Sequence, residues 1–210
     1  MSQVLASGKL SMFAEDLKCY KIIKSLADTA ILQNDLTSLY SWSTVNELRF
    51  QSSKSHNLRI SREKTSRPER LYTLDGNELE IVIKERDLGV TIAKELKWNE
   101  HIKLIVSKSN RMLGFLKRNC FVKMLKKTLT LLYTSLVRSH VCFANSEVWA
   151  PQSTIRDILL VEKTQRRAIK FICRSANLSY KDRLIQLKLL PLNYWLEYLH
   201  GPYIFLQVQV

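Results

Sequence analysis

Paired cysteine motifs are absent. Cys19, Cys120, Cys142 and Cys173 lie far apart, with no C-x-x-C and no histidine at zinc-finger spacing. That favours free buried thiols in a reducing compartment over a structural metal or a disulfide framework. No apolar run approaches the ~20 residues a membrane span needs. Ahead of Glu15 and Asp16 there is Lys9 but no sustained apolar segment, so nothing addresses the chain to a membrane, and cytoplasm or nucleus is the expected location. His56, His101, His140 and His200 share no short spacing and no Ser or Cys elbow accompanies them, which argues against hydrolase chemistry. Internal repeats and low-complexity tracts are also missing. Acids are locally scarce: Met1 to Leu10 contains none.

What is present is a basic, core-forming chain. With 210 residues and 46% hydrophobic content it can bury one or two cores without metals or disulfides. The net charge of +14 is uneven. Residues 1–93 hold 13 Lys/Arg against 12 Asp/Glu, residues 94–138 hold 11 against 2, and residues 156–188 hold 9 against 3. A sustained field of one sign attracts polyanions and speeds their encounter. The alternative is a helix face kept basic for solubility.

Periodicity divides the chain in the same way. Leu26 to Leu48 has helical spacing, with Leu32, Leu36 and Leu39 on one side, and is expected to back a hairpin that precedes it. Short alternating runs at Asn57–Ser61, Leu71–Leu74, Leu79–Ile83 and Leu88–Ile92 predict small strands, with a turn at Asp75-Gly76. From Trp98 the period becomes helical: Trp98, Ile102, Ile105, Val106, Met112, Leu113 and Leu116 form a stripe, and Lys103, Lys108, Arg111, Lys117 and Arg118 lie mostly off it. Further helices are predicted at about Met124–Val148, Thr154–Cys173, Tyr180–Leu189 and Leu192–Phe205, separated by Pro151 and Pro191. Trp149, Trp195, Tyr198 and Phe205 read as packing aromatics rather than base-stacking platforms.

The preceding hairpin carries Phe13-Ala14-Glu15-Asp16, two adjacent carboxylates at its tip, between Leu10–Phe13 and Leu17–Ile23. Alone, such a pair is either a solvated turn or part of an oxygen-ligand set for a divalent ion. The order of segments then resembles the carboxyl-terminal part of a non-LTR (LINE-type, jockey-like) retrotransposon reverse transcriptase. Phe13-Ala14-Glu15-Asp16 with Leu17 and Tyr20 is similar to the family's F/Y-A-D-D hairpin, and Leu36, Leu39, Trp42 and Ser43 to its next helix. Arg49-Phe50-Gln51-Ser52-Ser53-Lys54 resembles L-x-F-N-x-x-K-C, and Leu74-Asp75-Gly76 and Asp87-Leu88-Gly89-Val90-Thr91-Ile92 resemble the following strands. Trp98–Ile102, Met112–Arg118, Leu132-Tyr133, Leu136–His140, Val148–Pro151, Gln165–Ala168 and Leu189–Leu192 resemble the helical region behind the palm.

The resemblance implies an α+β chain: a partial palm of short antiparallel strands plus helix over 1–93, thumb-like basic helices over 94–150, and a carboxyl-terminal helical region over 151–210. It implies Mg²⁺ chemistry at Glu15 and Asp16, here a weak and incomplete site, with Lys54 either aiding the leaving group or serving as a surface charge. Gly89 is either a place of close primer approach or a bulge within its strand. Lys103, Lys108, Arg111, Lys117, Arg118, Lys123, Lys126, Lys127, Arg166 and Arg167 would contact RNA or DNA backbone. Two departures matter. Glu15 stands where the family has Asp, and a shift of about 1 Å can cost on the order of 10²-fold in rate. The fingers and the strand with the family's other metal-binding aspartate would lie before Met1. Ser55 also replaces the usual cysteine. The expected function is therefore that of a truncated, inactive reverse transcriptase with residual backbone binding, or else a non-catalytic basic module or a functionless relic. Self-association through the exposed palm remnant is a further expectation.

Overall fold

A computed structural model describes residues 5–14, 16–61, 70–120, 124–142, 146–149, 154–175 and 177–194. The chain divides into two compact units, Met1–Glu85 with Lys94–Leu96, and Arg86–Ala93 with Lys97–Val210. Both strands and helices are present, and the strands pair only two by two.

In the first unit, β1 (Lys9–Phe13) and β2 (Asp16–Tyr20) form an antiparallel hairpin in register from Phe13 opposite Asp16 to Lys9 opposite Tyr20. Ala14, at φ 49°, opens the tight turn. Helix α1 (Leu26–Val45) starts at a capping box: the Ser25 hydroxyl accepts from the Asp28 N–H, and the Asp28 carboxylate accepts from the Ser25 N–H. Such a cap contributes about 1 kcal/mol. Leu32, Leu36 and Tyr40 of α1, with Phe50, pack on Tyr72, Leu74 and Leu79. These leucines thus lie on the strands that follow rather than forming an apolar backing for β1–β2. On the amino-terminal side the tie is polar: buried Asp35 accepts from the N–H groups of Ala6 (2.7 Å) and Gly8 (2.8 Å).

β4 (Thr73–Leu74) and β5 (Asn77–Glu78) form the expected hairpin over Asp75-Gly76, whose φ values of 54° and 70° suit a two-residue turn. Gln33 grips β4, donating to the Thr73 carbonyl (3.0 Å) and accepting from its N–H (2.9 Å). One pairing departs from the all-antiparallel expectation: β3 (His56–Leu58) runs parallel to β6 (Glu80–Val82). The chain between them contains the whole β4–β5 hairpin, and so is long enough for the crossover that a parallel pair requires. Gly89 also differs from expectation. It lies not inside a strand but with Leu88 in the turn between β7 (Lys84–Asp87) and β8 (Val90–Ala93), at φ 85°.

The second unit is mostly helical. α2 (Asn99–Asn119) buries Ile102, Ile105, Val106, Ser109, Leu113 and Leu116 along one face, as its spacing predicts. Met112, expected in the stripe, sits at its margin, half-buried. The helix expected over Met124–Val148 is observed as one run of α3 (Lys126–Leu132), a π turn (Tyr133–Arg138) and α4 (Ser139–Cys142), and as α5 (Ser146–Trp149), with 143–145 outside the described residues. The wider turn accompanies two outside bonds: Ser109 donates to the Val137 carbonyl (3.2 Å), and Tyr133 donates to Gln165 (2.8 Å). α6 (Ile155–Cys173) begins at a Thr154–Asp157 capping box, and α7 (Tyr180–Leu187) at Ser179. Beyond a helical turn at 192–194, the expected last helix lies outside the described residues.

Two clusters fill this unit. One joins Val90, Trp98, Ile102, Val106, Val141, Trp149, Val161 and Leu192. The other joins Leu113, Leu116, Leu129, Tyr133, Val137, Ala168 and Ile172. Trp149 is a packing aromatic, as expected, while Trp195, Tyr198 and Phe205 lie outside the described residues.

Candidate nucleic-acid interface

The hairpin that should carry the carboxylates presents Asp16 as the exposed first residue of β2, opposite Phe13 rather than at the turn itself; Glu15 lies outside the described residues. Lys54 is exposed at the end of a 3-10 turn (Ser52–Lys54), and no hydrogen bond or ion pair links it to Asp16 among the described residues. Mg²⁺ requires near-octahedral oxygen ligands. Among the described residues no group of three or more His, Cys, Asp or Glu is placed to hold a metal. The Cys19 thiol on β2 is pushed up to about 11 by burial and by the nearby Asp35 charge, so it is protonated and unreactive at neutral pH. All four cysteines are free: Cys142 and Cys173 are buried as expected, whereas Cys19 and Cys120 are half-buried. At Gly89 open space surrounds the place a Cβ would take, and the positive φ is what calls for glycine.

The basic residues form the larger feature. Between Glu100 and Glu147 the sequence has nine Lys/Arg and no acid. The amphipathic period of α2 turns Lys103, Arg111, Lys117 and Arg118 to solvent and leaves Lys108 half-buried. Lys126 and Lys127 are exposed in the first turn of α3, and Lys123 lies outside the described residues. Arg166 and Arg167 are exposed on α6. Sequence reasoning missed the rest of that face: Arg156, Lys163 and Lys170 are exposed beside them, followed by Arg174 at the helix end. The signal was available, since positions 156, 163, 167, 170 and 174 recur at the spacing of one helix face.

Not every cation on this surface is equally available. Lys103 pairs with Glu100 at 2.9 Å. The Arg166 guanidinium lies over the Tyr180 ring, 4.2 Å from its centroid, and Lys117 Nζ stands 5.8 Å from the centroid of Phe171. The Arg174 guanidinium donates to the Met124 carbonyl (3.4 Å). Together these last contacts bring the end of α2, the approach to α3 and the end of α6 into one neighbourhood. Lys117, Arg118, Lys126, Lys127, Lys170 and Arg174 are therefore gathered at one end of the bundle.

Beneath this surface is a buried polar network. Gln165, fully buried, accepts from Tyr133 and donates to the Tyr180 hydroxyl (3.2 Å) and the Leu190 carbonyl (3.0 Å). Glu162 accepts from the Tyr180 hydroxyl and from the N–H groups of Leu192 (2.9 Å) and Asn193 (3.2 Å). Burial raises its carboxyl above the usual range, against the lowering effect of the two backbone N–H bonds and of Arg166 and Arg138. The network fixes α6 against the π turn, α7 and residues 190–193, and so holds the basic face on a rigid support.

The remaining histidine of note, His101, is buried, accepts from the Thr91 N–H at Nδ1 (3.2 Å) and packs near Trp149. Its place is in the core of the helical unit rather than in a cleft. Among the described residues no helix is long and apolar enough to cross a membrane. No protein-family model, no curated protein and no solved structure matches this chain.

Proposed function

We propose that the chain is related to non-LTR retrotransposon reverse transcriptases and binds RNA or DNA through their backbones, without polymerising. The observation that carries the binding half is the outward basic face of α2 and α3, drawn from a stretch with no acid between Glu100 and Glu147, and continued by the exposed Lys and Arg of α6. Lys and Arg set on a rigid support contact phosphates, release counterions and position the strand without reading its bases. The catalytic half of the family's chemistry is not supported. Within these 210 residues the motif's first acid is Glu15 rather than aspartate, and Asp16 stands exposed at the start of β2. Two-metal phosphoryl transfer needs more than that.

Affinity measured against salt tests the reading. The log–log slope should be about −0.9 per phosphate neutralised, with about four to six phosphates engaged. Changing Lys117, Arg118, Lys126 and Lys127 together to Ser should flatten the slope. The same change at Lys9, Lys18, Lys21 and Lys24, in the first unit, should not. Equal losses from both sets would show that net charge alone attracts the polyanion and would remove the site. Template-dependent primer extension lost on Asp16→Ala would overturn the non-catalytic part.

A further inference from the structure

α2 carries a second feature that phosphate binding does not use. Its buried face is continuous, yet Phe115 sits on the opposite face, 50% exposed. Lys108, Arg111, Phe115 and Arg118 follow one another at the spacing of a single helix face, so the ring lies between two guanidinium groups, roughly a turn from each. Among the described residues no aromatic ring or cation is stacked on it.

Beside the ring is Gly114, in the middle of a 21-residue helix. Glycine there costs about 1 kcal/mol relative to alanine. Close packing does not require it: outside the helix's own backbone, the one atom within 4 Å of an added Cβ is Nη1 of Arg118, at 3.4 Å. The glycine instead leaves bare helix beneath the Arg118 guanidinium.

We infer that Phe115 is a stacking platform for an unpaired nucleobase, with Arg111 and Arg118, the latter lying over Gly114, on the flanking phosphates. The inference rests on the backbone-binding reading and narrows it to single-stranded RNA or DNA. A flat base needs an aromatic face and a close approach to the support, and a paired base offers neither its face nor that approach. Charge complementarity selects this occupant over an apolar one, because the two residues one turn to either side of the ring on this row, Arg111 and Arg118, are cationic.

The test uses the full chain, with fluorescently labelled oligothymidylate as the single strand and a hairpin duplex of matched phosphate number. The expected result is tighter binding of the single strand. Phe115→Ala should weaken it roughly tenfold without changing the salt slope, since no phosphate contact is lost, and should leave duplex affinity alone. Phe115→Trp should restore the affinity. Gly114→Ala should weaken single-strand binding severalfold in a protein that still folds. Arg111→Ser should instead reduce the slope. Equal affinities for the two probes with a neutral Phe115→Ala would overturn the platform while leaving backbone binding intact. Loss of all salt-dependent binding in the unmodified chain would overturn both readings. A Phe115→Ala effect on self-association in place of single-strand affinity would assign the ring to a contact between copies and overturn the platform.

Discussion

The two units spend their side chains differently. In the first, the apolar cluster is small, built from Tyr72, Leu74 and Leu79 under one helix, and the strands pair two by two. Met12, Phe13, Tyr20 and Ile22 are left more than half exposed on or next to the β1–β2 hairpin. Two-stranded ladders are marginal in water unless something covers their apolar face. In the second unit, two apolar clusters and a fully hydrogen-bonded polar network lie under a face of Lys and Arg. The lesson is that the charge is placed on the part of the chain that has the means to hold it still.

The comparison can be broken most forcefully at the boundary. Val90 and Thr91 belong to the helical unit: Val90 is in its core, and the Thr91 N–H binds His101. A chain spanning 86–210 should therefore melt cooperatively and on the order of 10 °C above one spanning 94–210, while 1–93 alone should be poorly soluble and self-associate. Monodisperse, cooperative melting of 1–93 would remove the contrast.

Equivalent deletions inside each unit come next. Gln165→Ala orphans the buried Tyr133 hydroxyl and removes the bonds to Tyr180 and the Leu190 carbonyl, and should cost about 2–3 kcal/mol. Gln33→Ala, which frees one half-buried backbone pair on Thr73, should cost about 1 kcal/mol. Chemical denaturation of each variant checks the ratio; a larger loss at Gln33 would reverse the ranking of the two units.

Two glycines should respond with opposite signs. A Cβ on Gly8 would stand 2.8 Å from the Asp35 carboxylate, which cannot retreat without losing the N–H bonds of Ala6 and Gly8, so Gly8→Ala should destabilise the first unit by about 1–2 kcal/mol. Gly114→Ala meets the mobile end of Arg118 and should stabilise the second by up to about 1 kcal/mol.

The smallest effect is in pH dependence. Asp28 is held below the usual carboxylate range by the Lys24 N–H and by the Ser25 side chain and N–H. Its contribution is present above its unfolded pKa and fades as pH falls through the folded one. Glu162 is raised by burial, so its contribution has the other sign: it is whole below about pH 4.3, the ordinary Glu value, and fades as pH rises through the folded pKa. Relative to Glu162→Gln, the unmodified chain should lose melting temperature as pH rises across that window. Relative to Asp28→Asn it should gain melting temperature at lower pH, as pH rises from the folded pKa of Asp28 to about 3.9, the ordinary Asp value.

How much of this was legible depended on whether a signal was local. The Asp75-Gly76 turn and the α2 stripe are written in adjacent residues or in a simple period, and each is observed. The parallel β3–β6 pair was not legible, because strand order depends on a closure between distant segments. The same holds for the Gln165 network, whose partners Tyr133, Tyr180 and Leu190 are polar or apolar residues of no distinctive spacing. At the interface, the charges of α2 could be assigned from period alone. The partners that occupy Lys103 and Arg166 could not, because Glu100 and Tyr180 become relevant only through side-chain direction.

The π turn at Tyr133–Arg138 can be viewed as a helix that has taken in one residue too many. Removing one residue there, Ser135 for example, would let the regular hydrogen-bond ladder close. Forcing that ladder on the unaltered sequence would instead rotate everything downstream by about 100°, carrying Val141 and Cys142 away from the core they now fill. The wide turn absorbs that rotation, turning less per residue. It thus keeps two halves of one rod in phase, the upstream half set by Leu129 and Tyr133 and the downstream half by Val141.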